Sequence, residues 1–214
     1  MAYKSIAIDG PAASGKSAVG RLLAEKLSYD FLDTGIMYRA VTYIIQEFQI
    51  EPVKASKLFF ESKLVIDFSN LNNKIIYQDQ DISDFLFTDK IDSEVSGFSK
   101  IKSVRENLVF EQKKISNSTN IVMVGRDIGT KVLQNSNLKI YLDASIDVRA
   151  LRRSKDVENL SKNEVKIMLE SRDVIDKNRS NSPLVIDRNA SVINTDNLTI
   201  DQVVSNILNL YKYE

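Results

Sequence analysis

The sequence predicts a three-layer α/β fold built on a central parallel sheet, and three observations lead there. A short apolar run, Ser5-Ile6-Ala7-Ile8-Asp9, passes through the glycine-bearing stretch Gly10 to Ser17 into an amphipathic helical segment, Ala18 to Leu27. Short apolar runs then alternate with helical patterns along most of the chain, as parallel strands joined by crossover helices require. Two helix starts carry reciprocal capping signatures, Ser161 with Glu164 and Thr199 with Gln202.

In order, Lys4 to Ile8 reads as a buried strand and Gly15 to Ser28 as the first helix. Tyr29 to Leu32 is a second strand; Asp33-Thr34-Gly35 turns the chain into a helix over Ile36 to Glu47. Pro52 suits a first helical turn, with the helix running to about Glu61. The texture then changes. Leu64 to Phe68 and Ile75 to Tyr77, joined by a turn at Asn70 to Asn73, read as a small antiparallel excursion. Lys90 to Ser99 and Val104 to Ile115 are helical. Asn120 to Val124 is the strongest internal strand, and Leu138 to Leu142 another. Helices follow over Ile146 to Ser154, from Ser161 to about Lys177, and over Val203 to Tyr211. Pro183 to Ile186 and Ser191 to Asn194 are short extended pieces.

Composition narrows the chemistry. The chain has 214 residues, 43% of them hydrophobic, enough for one substantial core. It has no cysteine and no histidine, which removes disulfides, thiolate chemistry and imidazole acid–base catalysis. Cations and anions balance at 29 each, so bulk charge gives a nucleic-acid partner no support. No stretch of eighteen apolar residues and no signal-type leader are present, which sets the expectation of a cytoplasmic protein with no membrane contact. Only ten cations are arginines, so each deserves inspection as a planar fork suited to phosphate.

Gly10-Pro11-Ala12-Ala13-Ser14-Gly15-Lys16-Ser17 has the spacing GxxxxGKS. Between a strand and a helix, such a loop wraps backbone N–H groups around a polyphosphate. Its lysine reaches the outer phosphates and its hydroxyl ligates Mg²⁺. A lysine at a helix start opposes the helix dipole unless an anion is present. The fold is therefore expected to be P-loop NTPase-like, binding a polyphosphate with Mg²⁺. Ligands of such sheets lie beyond the strand carboxyl ends, which groups Gly10–Ser17, Asp33–Arg39 and Gly125–Thr130 around one crevice.

A second anion site would separate a kinase from a hydrolase or switch. Arg39, Arg105 and Arg126 are candidates to converge on a second phosphate. In the helix begun at Glu164, the apolar stripe of Val165, Met168 and Leu169 continues into Arg172, Asp176 and Arg179. Charges on that line suit a wall facing a ligand, with Asp176 able to take two ribose hydroxyls. Asp127, Asp176 and Ser96 offer polar edges to a base. Arg149, Arg152 and Arg153 lie on a helix before a polar break, the pattern of a mobile lid that brings arginines onto a transferring phosphoryl. These features leave open another small-molecule P-loop kinase and a non-catalytic nucleotide-binding regulator.

The motifs together resemble bacterial cytidylate kinases, which are P-loop nucleoside monophosphate kinases. The resemblance covers nearly the whole length. Its blocks are Ile6 to Ser17, Tyr29 to Ala40, Gly125-Arg-Asp-Ile-Gly-Thr130, Leu138 to Arg153, and the late pattern Arg172-Asp173-x-x-Asp176-x-x-Arg179 with Pro183-Leu184. The resemblance implies phosphoryl transfer from ATP to CMP or dCMP with Mg²⁺, in pyrimidine metabolism, by a monomer without nucleic-acid partners. It implies a kinase core over 1–62 and 96–214, an inserted monophosphate-binding lobe over 63–95 and a lid at about 152–163. By motif, Arg39 and Arg126 are expected on the acceptor phosphate with Thr34 at its edge. Ser96, Arg105 and Asp127 are expected on cytosine, and Asp176, Arg179 and Arg172 near the ribose. Lys16, Arg126, Arg149 and Arg153 are the expected catalytic groups; Ser17 and Asp33 are expected at the metal. The chain departs from the usual pattern at Val124, where aspartate is common, at Phe87, where arginine is common, and in the short stretch between Arg153 and Ser161.

Overall fold

A computed structural model of the chain describes residues 3–68, 71–155 and 160–212. Strand β1 (Ser5–Asp9) sits at the centre of a five-stranded sheet. Its neighbours are β6 (Ile121–Gly125) and β7 (Leu138–Asp143); β2 (Asp30–Asp33) and β8 (Ser191–Asn194) form the edges. Every pairing in this sheet is parallel, as the buried apolar runs require. The register aligns Asp9 with Gly125 and Tyr141, and Asp33 with Val124, so these strand ends form one rim.

Alternation along β1 divides the core. Ile6 and Ile8 pack with α1 (Lys16–Leu27) and α8 (Ile200–Lys212) through Val19, Leu23, Val203 and Ile207. Ala7 faces the other way, toward α2 (Gly35–Phe48) and α5 (Lys102–Ser116) through Met37, Ile44, Val104 and Leu108. The result is helix, sheet, helix.

The excursion is a separate antiparallel sheet of β3 (Leu64–Asp67), β4 (Lys74–Tyr77) and β5 (Gln80–Asp81). It shares a core with the main body, since Leu64, Ile75 and Tyr77 pack in the cluster that holds α2. Asn73 fixes it further. Its amide donates to Phe31 O and its side-chain oxygen accepts from Asp33 N, both on strand β2. Asn70, in the turn expected here, lies outside the described residues.

Helix α3 (Pro52–Lys57) stops short of Glu61. Lys63 N and Leu64 N both bond Leu58 O, and Ser62 is left-handed, so the chain must turn early to enter β3. Pro183 to Ile186 forms no strand. Leu184 is buried and its N–H bonds Asp176 O, which folds the segment back on α7 (Lys162–Lys177). Both capping boxes form: Ser161 with Glu164, and Thr199 with Gln202.

Candidate active site

The phosphate loop is shaped by two glycines. A Cβ at Gly10 would lie 2.1 Å from Leu142 O, and Gly15 caps α1 at φ +93°, a region that disfavours other residues. No side chain caps α1, so its first amides stay directed at the loop's interior. Ala12, Ser14 and Lys16 are buried. Lys16 Nζ donates to Pro11 O at 2.5 Å and lies 3.3 Å from Ser14 Oγ. Burial, reinforced by the charges of Arg126 and Arg172, holds the Lys16 ammonium well below its usual pKa. A lysine so placed is a cation waiting on an anion.

Ser17 Oγ donates to Asp33 Oδ2 at 2.5 Å, and Asp33 Oδ1 accepts from Gly35 N. A hydroxyl and a carboxylate side by side are hard oxygen donors of the kind Mg²⁺ takes. Among the described residues no cluster of three acidic, cysteine or histidine side chains forms a cage.

Asp9, which the sequence reading did not single out, joins the phosphate loop to the Gly125–Thr130 block. Its carboxylate accepts from Ile128 N and Gly129 N, each at 2.8 Å. These amides begin a π-helical turn over Ile128–Val132, so the block is hung from the end of β1. Burial pushes the Asp9 carboxyl up to about 6 despite these two bonds. A group with a higher pKa folded than unfolded binds more protons in the native state, so the stability that Asp9 contributes falls as pH rises from about 4 to 6 and is level above. Denaturant titrations across that window are expected to show Asp9→Asn with a shallower decline than the wild type. An equal decline would place the titration elsewhere.

The late block makes a second, cationic wall. Asp176 is buried, accepts from Arg126 Nε at 2.9 Å and lies 3.5 Å from Arg179 Nη1. Burial raises its pKa, but Arg126, Arg179 and Arg172 outweigh it and hold the carboxyl below its usual range. Arg179 lies past the end of α7, two residues beyond Lys177, yet is buried. Its Nε and Nη2, and Arg172 Nε, are buried donors without a protein acceptor among the described residues. Burial and the neighbouring Arg126 charge bring Arg172 down to about 10. Orphaned guanidinium donors of this kind fit a phosphate.

Arg105 is 2% exposed; its Nη2 meets Asp127 Oδ2 at 2.6 Å, its Nη1 donates to Ser99 O, and Tyr38 lies under its guanidinium. Thr34 is buried, and both its hydroxyl and its backbone N–H donate to Val124 O. Ser96 is buried on α4 (Asp89–Phe98) and lines a cavity of about 130 Å³ with Asp92, Met168 and Arg172. Arg39 bonds Leu86 O and Asp92 and stands over the Phe87 ring.

The arginines of α6 (Ile146–Arg153) diverge, where the sequence grouped them. Arg149 is buried, bonding Ala144 O, Ala12 O in the phosphate loop and Asp173. Arg152 bonds Thr195, which itself donates to Ser14 O. Arg153 crosses to Asp92. Asp92 and Thr195 escaped the sequence reading because each acts through a partner distant in the chain, and Asp173, quoted only as part of the late block, finds its partner in Arg149. Part of the lid expected at 152–163, residues 156–159, lies outside the described residues.

The fold is shared with known kinases. A crystal structure of an uncharacterized protein from Eubacterium ventriosum aligns with TM-score 0.57 over 99% of both chains at 15% identity. Shikimate kinase from Bacteroides thetaiotaomicron aligns with TM-score 0.50 over 98% of both, also at 15% identity. In sequence, a bifunctional pantoate ligase/cytidylate kinase from Prochlorococcus marinus is 44% identical over 218 residues, 96% of this chain and 42% of that one. The chain thus spans less than half the length of such relatives. A cytidylate kinase from Clostridium botulinum (strain Langeland) is 40% identical over 215 residues, covering 97% of each chain. The sequence profile described as cytidylate kinase matches residues 6–213, and the chain belongs to that family.

Proposed function

We propose that the chain transfers the γ-phosphoryl group of ATP to CMP or dCMP, giving CDP or dCDP and ADP. One observation carries the reading: the parallel register sets the phosphate loop, which follows Asp9 at the end of β1, beside Arg126, which follows Gly125 at the end of the adjacent β6, and Arg126 pairs with Asp176 next to Arg179 and its orphaned donors. Two anion sites facing each other are what phosphoryl transfer between two nucleotides needs, and what a switch does not.

The phosphate loop holds the ATP tail and Lys16 draws charge from its outer phosphates. Ser17 and Asp33 would hold Mg²⁺, which would supply neutralisation of the charge that develops on the phosphates. Arg39, Arg126, Arg172 and Arg179 clamp the acceptor phosphate, with Thr34 at its edge. Ser96, Arg105 and Asp127 read cytosine, and Asp176 with Arg179 holds the ribose. Arg149 fixes the phosphate loop from behind through Ala12, and Arg153 supplies charge from the lid helix. The nucleophile is a phosphate oxygen, so positioning and charge do most of the work without a strong general base. Residues 63–95 form the acceptor lobe, 1–62 and 96–214 the kinase core, and about 152–163 the lid. The protein acts in this reading as a cytoplasmic monomer without nucleic-acid partners. Among the described residues no helix is long and apolar enough to cross a membrane.

The test is an acceptor panel: phosphoryl transfer from ATP to CMP, dCMP, UMP and AMP. CMP and dCMP are expected to turn over fastest; absent or equal CMP turnover rejects the assignment. Calorimetry separates a kinase from a regulator. Arg126→Ala and Arg179→Ala are each expected to weaken CMP binding by about 10- to 100-fold, as loss of a charge-assisted contact does, and ATP binding by far less.

A further inference from the structure

One carboxylate near the acceptor site belongs to none of the motifs. Asp92 sits in the first turn of α4, whose N-terminus is capped by Thr88, and its side chain is 10% exposed. Its Oδ1 meets Arg39 Nη2 and stands 3.7 Å from Arg172 Nη1; its Oδ2 meets Arg153 Nη2 at 2.6 Å. Arg39 comes from α2, Arg153 from the end of α6 and Arg172 from α7. Three elements therefore converge on a single anion, and each brings an arginine that the proposed reaction assigns to phosphate.

We propose that Asp92 is a built-in competitor for the acceptor phosphate: a carboxylate that occupies the Arg39–Arg153–Arg172 cluster and sets how tightly the monophosphate binds there. The inference rests on the acceptor-site reading given above.

A carboxylate accepting from arginine forks is the nearest imitation of phosphate that a side chain offers. A dianionic phosphate entering the same cluster either displaces Asp92 or sits beside it against like-charge repulsion. Two like charges side by side in a partly buried site repel one another more strongly than they would in water. Both routes weaken binding. The alternative, that Asp92 chiefly positions the arginines, asks more of it than the contacts require. Arg39 is also held by Leu86 O at 2.8 Å and by the Phe87 ring at 4.9 Å, and Arg172 has a buried Nε still lacking a protein acceptor. Arg39 thus keeps two protein contacts without Asp92, and the cluster's cationic excess rises.

The competitor has a use. It gives mutually repelling guanidinium groups a partner whenever the acceptor site holds no phosphate. It also recaptures Arg39 and Arg153 as the diphosphate product leaves, so affinity is exchanged for release. Asp92 here acts on binding and touches no reacting atom, which makes it an affinity-setting residue of the site.

The test is Asp92→Asn in the full chain, with Asp89→Asn as the control for loss of an exposed charge in the same helical turn. Calorimetry is expected to give CMP binding about tenfold tighter in Asp92→Asn than in wild type and unchanged in Asp89→Asn. Thermal unfolding without nucleotide is expected to show Asp92→Asn less stable than wild type, with inorganic phosphate raising its midpoint by more than it raises the wild type's. Unchanged or weaker CMP binding in Asp92→Asn overturns the proposal. Should that variant not fold, Asp92→Ser is read in the same titrations with the same expected directions. If the wild type fails to bind CMP at all, the acceptor reading fails. The phosphate arm then still decides whether Asp92 competes with an anion, and equal midpoint shifts in variant and wild type reject it.

Discussion

Replacing Lys16 by methionine is expected to abolish most phosphoryl transfer while leaving the ligand-free chain as stable as the wild type or more so. The two outcomes have one cause. Lys16 is 6% exposed, and its ammonium is answered by Pro11 O and Ser14 Oγ, neither of them charged. Burial and the neighbouring Arg126 charge depress its pKa. An ammonium held below its normal pKa disfavours the folded state at neutral pH, so an apolar side chain of similar length relieves that cost. In the proposed reaction the same charge meets the outer phosphates of ATP, where removing one preorganised donor typically lowers the rate by about 10²–10³. Steady-state kinetics with ATP and CMP, beside urea denaturation of both proteins, check it. A variant that loses stability as well as activity would mark Lys16 as a structural group.

The buried pair Arg105–Asp127 is expected to give the largest effect on folding. Asp127→Leu strands a guanidinium that is 2% exposed, and breaking such a pair from one side costs about 3–5 kcal/mol. Arg105→Met strands Asp127 in the same way. The double variant Arg105→Met/Asp127→Leu removes both charges together and is expected to recover most of the loss, since replacing a buried ion pair by apolar residues is often neutral. Denaturant midpoints of the four proteins close the cycle. Activity separates structure from recognition. If Asp127 reads the cytosine amino group, the double variant folds but loses its preference for CMP over UMP, because a site built for a hydrogen bond rejects analogues through that bond. A folded double variant with unchanged preference would leave Arg105 and Asp127 as a structural strut alone.

The expectations met their limits at identifiable residues. Helix starts at Ser161 and Thr199 were legible because each cap is a bond between residues three apart. The end of α3 was not, because a left-handed Ser62 and two amides sharing Leu58 O belong to the approach of β3. Arg149, Arg152 and Arg153 read as one group by proximity in sequence. They face different partners because a helix turns adjacent residues about 100° apart.

The sequence alone determined the phosphate loop, the alternation of strands and helices, and the family, since each is written in short contiguous spacings that local backbone geometry reads directly. Only the tertiary structure decided which charges meet. Asp9 reaches Ile128 across 119 positions, Arg126 reaches Asp176 across 50, and Arg153 reaches Asp92 across 61. These pairings follow from the sheet order, which lays β6 between β1 and β2 and brings distant strand ends to one rim. Side-chain charge acts through space, so its partners appear only once the chain has folded.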